Sequence, residues 1–287
     1  MLRNVLVTGG SGFIGSHVVD ALVKKKYNVT IIDTNSPKRK DVKFIKGSIL
    51  NKKLIDLLLK KNKLIFHLAA VSDINKVKSI PTTTISTNVL GTSCLLESAR
   101  KAKVQRFIFA STYYSYGNAG NLYTTSKTAS ELIIENYNLL FDLNYTILRY
   151  PTAYGPRSRN VDAISIFVDS AIKNKNLIIY GNGKQRRNYL HVEDLAEGSA
   201  IALNKKSKNK TVILASKNSI KIIDVAKKII KLTKSKSKIV LNNKMKRLDD
   251  FSSNKIYIKK KDYLPDWKPK YNLTDGLLRY IKYKKSK

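Results

Sequence analysis

The 287-residue chain has one cysteine, Cys94, so it can close no internal disulfide. A lone thiol fits a reducing compartment, and the cytoplasm is the expected location. No stretch approaches the roughly 18 consecutive apolar residues of a membrane span, so no membrane association is expected. The start turns apolar soon after Met1, but glycines interrupt it and it lacks a basic lead and a small-residue cleavage site. No signal peptide is therefore expected. His17, His67 and Cys94 are widely separated, and no ligand-spaced cluster of metal-binding side chains occurs, so no metal is expected. There is no internal repeat and no low-complexity linker. Acidic residues are also scarce: 20 Asp and Glu stand against 55 Lys and Arg, a formal net charge of +35. That balance is compatible with nucleic-acid binding. Yet the lysines run through the whole chain, thickening only at Lys259-Lys260-Lys261 and from Lys282 to Lys287, and no nucleic-acid-binding motif accompanies them. They read as a solvated surface, and nucleic acid is not the expected partner.

What is present is an alternation of apolar strands and helical patterns. Hydrophobic residues make up 43%, enough for a sizeable core. Asn4 to Thr8 reads as a strand, followed by Gly9-Gly10-Ser11-Gly12-Phe13-Ile14-Gly15 and a helical pattern through Val18, Val19, Leu22 and Val23. The strand Val29 to Asp33 then ends in an acid. Strand, glycine turn, helix, strand and acid within about 30 residues form the context that makes such a turn specific for a dinucleotide. Gly9 permits the tight turn, Gly12 lets backbone approach a pyrophosphate, and Gly15 allows helix to pack closely on strand. The helix start supplies N–H groups and a positive dipole end to phosphate. Asp33 suits two ribose hydroxyls and repels a 2′-phosphate, which favours NAD, while Lys38 and Arg39 close behind leave NADP as an alternative.

The rhythm continues with strands at 42–46 and 64–68, helices at 52–59 and about 87–101, a strand opening at Phe107, a helix over about 125–140, and a strand at 145–149. This order predicts an α/β fold with a doubly wound, mostly parallel sheet. Small residues at Ala69-Ala70 allow a backbone to come near a cofactor or simply to pack tightly. Within that pattern, Phe107-Ile108-Phe109-Ala110 gives way to Ser111, Thr112, several tyrosines and Tyr123-Thr-Thr-Ser-Lys127. Ligands of a parallel sheet sit beyond the carboxyl ends of its strands, so hydroxyls there are well placed. Tyr123 and Lys127 share one helical face, and an ammonium beside a phenol favours the phenolate. The spacing alone is uninformative, because it recurs at Tyr180/Lys184, Tyr257/Lys261, Tyr280/Lys284 and Tyr283/Lys287. Only the pair at 123 and 127 follows a hydroxyl-tipped strand in the nucleotide-binding part.

In these motifs, and in His67-Leu-Ala-Ala70, Asn88-Val-Leu-Gly-Thr92, Arg149-Tyr-Pro-Thr-Ala-Tyr-Gly-Pro-Arg157, the run Tyr180 to Asp194 and Asp266-Trp-Lys-Pro269, the chain resembles the extended short-chain dehydrogenase/reductases. Within them it is similar to the NAD-dependent nucleotide-sugar epimerase/dehydratase group typified by UDP-glucose 4-epimerase, over essentially its whole length. The resemblance implies a Rossmann domain over 1–156, to which about 188–218 returns, and a mainly substrate-binding region over 157–287. It implies NAD held by Gly9, Gly12, Phe13, Ile14, Gly15, Asp33, Ser48, Ile49, Leu68, Ala69, Ala70, Asn88, Tyr123, Lys127 and Tyr150. Tyr123 would be the general base and acid, Lys127 would hold the nicotinamide ribose, and Thr112 would bond the reacting oxygen. Arg187 and Arg247 would take the nucleotide diphosphate, which guanidinium forks suit. His191 and Asp194 would organise a loop and cap a helix. The implied activity is C4 inversion of a UDP-glucose or UDP-N-acetylglucosamine type nucleotide sugar through a keto intermediate, in a homodimer. Nucleotide-sugar oxidoreductase or dehydratase chemistry is the alternative, and a non-catalytic NAD-binding protein with a basic RNA- or partner-binding surface is the alternative of another class.

Three departures bear on that expectation. Thr112 and Tyr123 stand only 11 positions apart, where relatives carry a longer, substrate-enclosing loop. Ser48 replaces an adenine-binding Asp, which weakens that contact. Tyr113-Tyr114 replaces the Asp-Glu pair that drives dehydration, and the Glu of the decarboxylating relatives is missing there as well.

Overall fold

A computed structural model describes residues 3–116, 121–216, 218–243 and 259–287. The chain alternates as expected from Asn4 to Tyr150: β1 (Asn4–Thr8), α1 (Phe13–Lys24), β2 (Asn28–Asp33), β3 (Lys43–Lys46), α2 (Lys52–Leu59), β4 (Leu64–His67) and the short helices α3 (Ile74–Ser79) and α4 (Pro81–Ile85). A π-helical turn (Ser86–Leu90) leads into α5 (Gly91–Lys101), then β5 (Arg106–Thr112), α6 (Leu122–Phe141) and β6 (Tyr145–Tyr150). Afterwards come β7 (Thr152–Tyr154), α7 (Ala163–Ile172), β8 (Leu177–Tyr180), β9 (Arg186–Arg187), β10 (Tyr189–His191) and α8 (Val192–Ile201). The remaining elements are β11 (Lys210–Ile213), β12 (Ile220–Lys221), α9 (Ile222–Thr233), β13 (Ile239–Asn242) and α10 (Leu273–Lys285).

Seven parallel strands form one sheet in the order β11-β6-β5-β4-β1-β2-β3. The chain runs outward from β1 to β3 and then crosses back to β4, so β1 and β4 flank the point where strand order reverses. That is where an open α/β sheet takes its ligand, outside the strand carboxyl ends. Thr8 and His67 are register partners at that end, and Thr112 pairs with Tyr150 at the same end of β5 and β6. Both faces are covered, so β1 and β4 read as unbroken apolar runs. Leu6, Ile65, Phe107, Phe109 and Ile147 are fully buried within one core with Leu95, Leu96 and Ile134 from the helices.

The chain divides into two compact units: Met1–Tyr150 with Ala196–Leu214 and Tyr257–Trp267, and Pro151–Leu195 with Ala215–Ile256 and Lys268–Lys287. The second has its own core, in which Tyr154, Ile164, Val168, Leu177, Val225, Ile229, Leu277 and Tyr280 are buried. Two helix boundaries depart from the sequence reading. The helix expected from about 125 starts at Leu122, because the Asn121 side chain accepts the Thr124 N–H at 2.8 Å and fixes the first turn. The helix expected over about 87–101 is interrupted by the π-helical turn, whose buried Asn88 exchanges two hydrogen bonds with the Val71 backbone. Such turns cluster at functional sites. Among the described residues no helix is long and apolar enough to cross a membrane.

Candidate active site

The glycine turn is built by backbone proximity. A side chain at Gly9, whose φ is +71°, would meet the Ala69 backbone at 2.6 Å, and one at Gly15 would lie 2.0 Å from the Gly9 carbonyl oxygen. Gly9 therefore lets β4's exit at Leu68 and Ala69 come close against the turn. Gly12 is different: it is exposed, and a Cβ there would touch only the Gly9 carbonyl, at 3.3 Å. The helix it opens, with Phe13 and Ile14 in its first turn, has no side-chain cap, so its N–H groups are available to an anion.

Asp33 stands at the end of β2, as expected for a ribose partner. Its carboxylate accepts the Ser11 N–H and the Asn35 N–H, each at 3.0 Å, which fixes it against the glycine turn while leaving further lone pairs. Arg39 is committed elsewhere. Its guanidinium bonds Asp20 at 2.8 Å and Asp41 at 2.6 Å, and both carboxylates, Asp41 foremost, hold its pKa above the ordinary value. A guanidinium between two carboxylates is poorly placed to serve a 2′-phosphate, which removes one of the two residues that had kept NADP open. Ser48 uses its hydroxyl locally, accepting the Leu50 N–H at 3.2 Å, and Ile49 packs against Gly91.

A buried chain of hydrogen bonds runs beneath this end of the sheet. The Ala69 N–H donates to Thr8 Oγ1, which lies 2.7 Å from His67 Nδ1; His67 Nε2 lies 2.9 Å from Thr92 Oγ1, and that hydroxyl donates to the Asn88 carbonyl. With its proton spent on Asn88, Thr92 can only accept from His67, so the imidazole carries its proton on Nε2 and accepts on Nδ1. Asn88 also donates to Ser126 Oγ, which donates to the Tyr123 carbonyl at 2.7 Å. Two cofactor candidates 19 positions apart in sequence, Ala69 and Asn88, are thus tied through a histidine to the start of α6. Burial, with a smaller push from the Lys127 charge, lowers the His67 pKa to about 3. Between the unfolded value near 6.5 and about 3, the unfolded chain binds one proton more. Stability should therefore fall by about 1.4 kcal/mol per pH unit on acidification through that window. Urea denaturation at several pH values checks this, and His67→Gln should remove that one-proton slope.

Thr112, Tyr123 and Lys127 all belong to the β5–α6 segment of the first unit. Thr112 is buried at the strand end, and its Oγ1 accepts the Tyr114 N–H at 3.3 Å, leaving the hydroxyl proton for another acceptor. Tyr123 occupies the second position of α6, half-buried, and Lys127 follows one turn on. Lys127 is only 2% exposed, with its ammonium 4.5 Å from the centre of the Phe109 ring. Burial lowers its pKa to about 7, against an upward pull from Glu131. Tyr150 is buried with its phenol 2.7 Å from Ser199 Oγ, so any cofactor contact would use its ring or backbone. Two of the other Tyr/Lys spacings differ in kind, and Tyr257 of a third lies outside the described residues. Tyr280 is a core residue and Lys284 pairs with Asp169 at 2.9 Å; neither Tyr180 nor Lys184 lies in a helix.

In the second unit, Arg187 lies on β9 beside β12, with Nη1 donating to the Arg186 carbonyl at 3.1 Å. Arg247 lies outside the described residues. Asp194 organises a loop: its carboxylate accepts the Lys270 and Tyr271 N–H groups at 3.0 and 2.9 Å. His191 is buried with its ring against Tyr154 and Tyr271. Sequence reasoning missed Glu131, Ser111 and Arg149, which meet beneath Lys127. The spacing Lys127–Glu131, one helical turn, was the available signal. Among the described residues, no group of three or more His, Cys, Asp or Glu side chains could hold a metal.

The chain is similar to known proteins along most of its length. The NAD dependent epimerase/dehydratase family pattern matches residues 5–215. A Methanocaldococcus jannaschii protein provisionally named a UDP-glucose 4-epimerase is 32% identical, over 98% of each chain. The UDP-N-acetyl-alpha-D-glucosaminuronate decarboxylase of Bacillus cytotoxicus is 33% identical, over 84% of this chain and 83% of its own. The structure of the Thermotoga maritima UDP-glucose 4-epimerase with UDP-glucose superposes with a TM-score of 0.91 at 28% identity, over 99% of each chain.

Proposed function

The chain belongs to the NAD-dependent epimerase/dehydratase family, and from that premise we propose that it is an NAD-dependent epimerase of a nucleotide-activated sugar. The substrate we infer is of the UDP-glucose or UDP-N-acetylglucosamine type, inverted at C4 through a keto intermediate. The observation that supports this best is the grouping at β5 and α6: a buried Thr112, Tyr123 in the first turn, and a buried lysine one turn later. Tyr113 and Tyr114 follow Thr112, so the carboxylates that water elimination or decarboxylation calls for are not at those positions.

The cofactor of this family is NAD, and the residues fit it. Gly12 leaves open space at an uncapped helix start, Asp33 is held at the end of β2 with lone pairs to spare, and Arg39 is neutralised. Gly9, Gly12, Phe13, Ile14 and Gly15 would hold its pyrophosphate, Asp33 its adenosine ribose, and Lys127 its nicotinamide ribose. Bound NAD supplies a reversible two-electron acceptor beside the sugar. In this reading Tyr123, as phenolate, takes the proton of the C4 hydroxyl while Thr112 bonds the same oxygen. Lys127 stabilises the phenolate, because a nearby cation favours the charged form. After the keto sugar turns over in the site, Tyr123 returns the proton and the carbon is inverted. Arg187 would neutralise the diphosphate.

Incubation with a panel of UDP-, GDP- and dTDP-sugars in D₂O, followed by NMR, tests the reading. C4 inversion without solvent deuterium supports it. A keto-deoxy product carrying deuterium means dehydration, and accumulating reduced cofactor means net oxidoreduction. If NAD binds and no sugar turns over, the non-catalytic alternative gains, and salt-titrated RNA binding then becomes its test.

We also propose a homodimer. Leu132, Leu139, Leu140 and Phe141 on α6 are exposed, Leu139 by 79% and Leu140 by 70%, and Leu90 before α5 is exposed as well. Large exposed apolar side chains in one helix mark an interaction surface. Sedimentation should give twice the chain mass, and a Leu139→Glu, Leu140→Glu variant should sediment as a monomer.

A further inference from the structure

Lys127 poses a problem that its surroundings solve. An isolated ammonium in a buried site is driven to shed its proton, yet its proposed role needs the charge. One helical turn on, at the same face of α6, stands Glu131, 3% exposed. Three donors converge on its carboxylate. Ser111 Oγ donates to Oε1, Arg149 Nε donates to Oε1 at 3.0 Å, and Arg149 Nη2 donates to Oε2 at 2.5 Å. Ser111 and Arg149 are register partners on β5 and β6, so two neighbouring strands grip one helix through a single carboxylate. Ser111 follows Phe109 by two positions and shares its face of β5, so the Phe109 ring takes the ammonium while Ser111 takes the carboxylate. The bidentate fork and the serine bond hold that carboxylate in one place.

We propose that Glu131, held by Arg149 and Ser111, is a positioning residue that sets the charge and the place of the Lys127 ammonium beside Tyr123. This rests on the proposed role of Lys127. Among the described residues, few titratable and charged groups surround Lys127. On α6 they are Tyr123 and Glu131; on β4, His67, which is neutral; on β6, Arg149, already bonded to Glu131. Among the described residues Glu131 is the anion that acts on the ammonium, and Arg149, bonded to that carboxylate, is a cation whose sign opposes it. Arg149 fixes Glu131 but also opposes its field.

Opposite signs make the proposal testable without turnover. In the full-length chain with ¹³C at lysine Cε, Lys127 titrates near neutrality, apart from surface lysines, and its signal is assigned by its loss in Lys127→Met. Glu131→Gln should move that titration down by about one to two pH units, the size of one charge at helical-turn distance in a partly polar interior. Arg149→Met should move it up, because Glu131 then faces Lys127 uncompensated. A purely structural pair would shift both the same way or neither, and either result overturns the proposal. Should a single variant fail to fold, the neutral Glu131→Gln, Arg149→Gln double variant keeps hydrogen-bonding groups in place. A lowered Lys127 titration supports the proposal there, and an unchanged one overturns it. In the NAD-loaded protein, the alkaline limb of the rate profile should follow the NMR shifts. Shifts without any sugar turnover would sink the epimerase reading and leave the Glu131 inference standing.

Discussion

Tyr123→Phe is expected to cut sugar turnover by about three orders of magnitude while leaving NAD affinity within a factor of about two. Proton transfer by a positioned side chain contributes roughly 10²–10⁴-fold, and this substitution removes one oxygen and nothing else. The ring that fills the half-buried site stays, and the first turn of α6 keeps its Asn121 cap. The Ser126 bond goes to the Tyr123 backbone carbonyl, so it survives as well. The glycine turn, Asp33 and the chain from Thr8 through His67 to Asn88 keep the hydrogen bonds they make with one another. Turnover by NMR and NAD binding by calorimetry separate the two effects. Unchanged turnover would remove the tyrosine from the chemistry, and lost NAD binding would show that its phenol holds the fold.

Strands β1 to β6 were legible because each carries an apolar stretch bounded by a turn or a charge, and a parallel sheet buried on both faces asks for no more; the strands after Tyr150, among them the sheet's edge strand β11, were not read. The alternation of β1 to β6 with helices also gave the sheet type, and the hydroxyls after Phe109 pointed to the ligand end. What the sequence withheld was every contact joining distant positions. Arg39 stands six residues after Asp33, and linear closeness alone kept NADP open; the fold places its guanidinium between Asp20 on α1 and Asp41. Glu131, Ser111 and Arg149 looked like separate polar residues until β5 and β6 were paired in register. The π-helical turn carries no periodicity of its own, since its distinguishing bond pattern depends on Asn88 finding the Val71 backbone. The start of α6 was missed for a simpler reason. Asn121 followed by Thr124 is an N-cap pattern, but it lies in a tyrosine- and glycine-rich stretch that read as loop.

The glycine turn carries the second large effect, and its glycines should fail in different ways. At Gly12 the backbone has φ −72° and ψ 178°, which alanine adopts freely, and a Cβ would meet only the Gly9 carbonyl at 3.3 Å. Gly12→Ala should therefore fold, with a melting temperature lowered much less than that of Gly15→Ala. The methyl would nonetheless occupy the open space at the helix start, where the proposed pyrophosphate has to approach, and NAD affinity should fall by about 100-fold or more. At Gly15 the methyl would sit 2.0 Å from the Gly9 carbonyl oxygen and 2.9 Å from its carbon, so the turn itself has to open. Overpacking of a rigid interior costs about 1–3 kcal/mol, and here the obstacle is backbone, which relaxes less readily than a side chain. Gly15→Ala should lose both melting temperature and NAD binding. Calorimetric NAD titration beside thermal unfolding distinguishes the two outcomes. A Gly12→Ala protein that binds NAD like the parent would mean that the pyrophosphate lies elsewhere, and the assignment of this turn to the cofactor phosphates would fall with it.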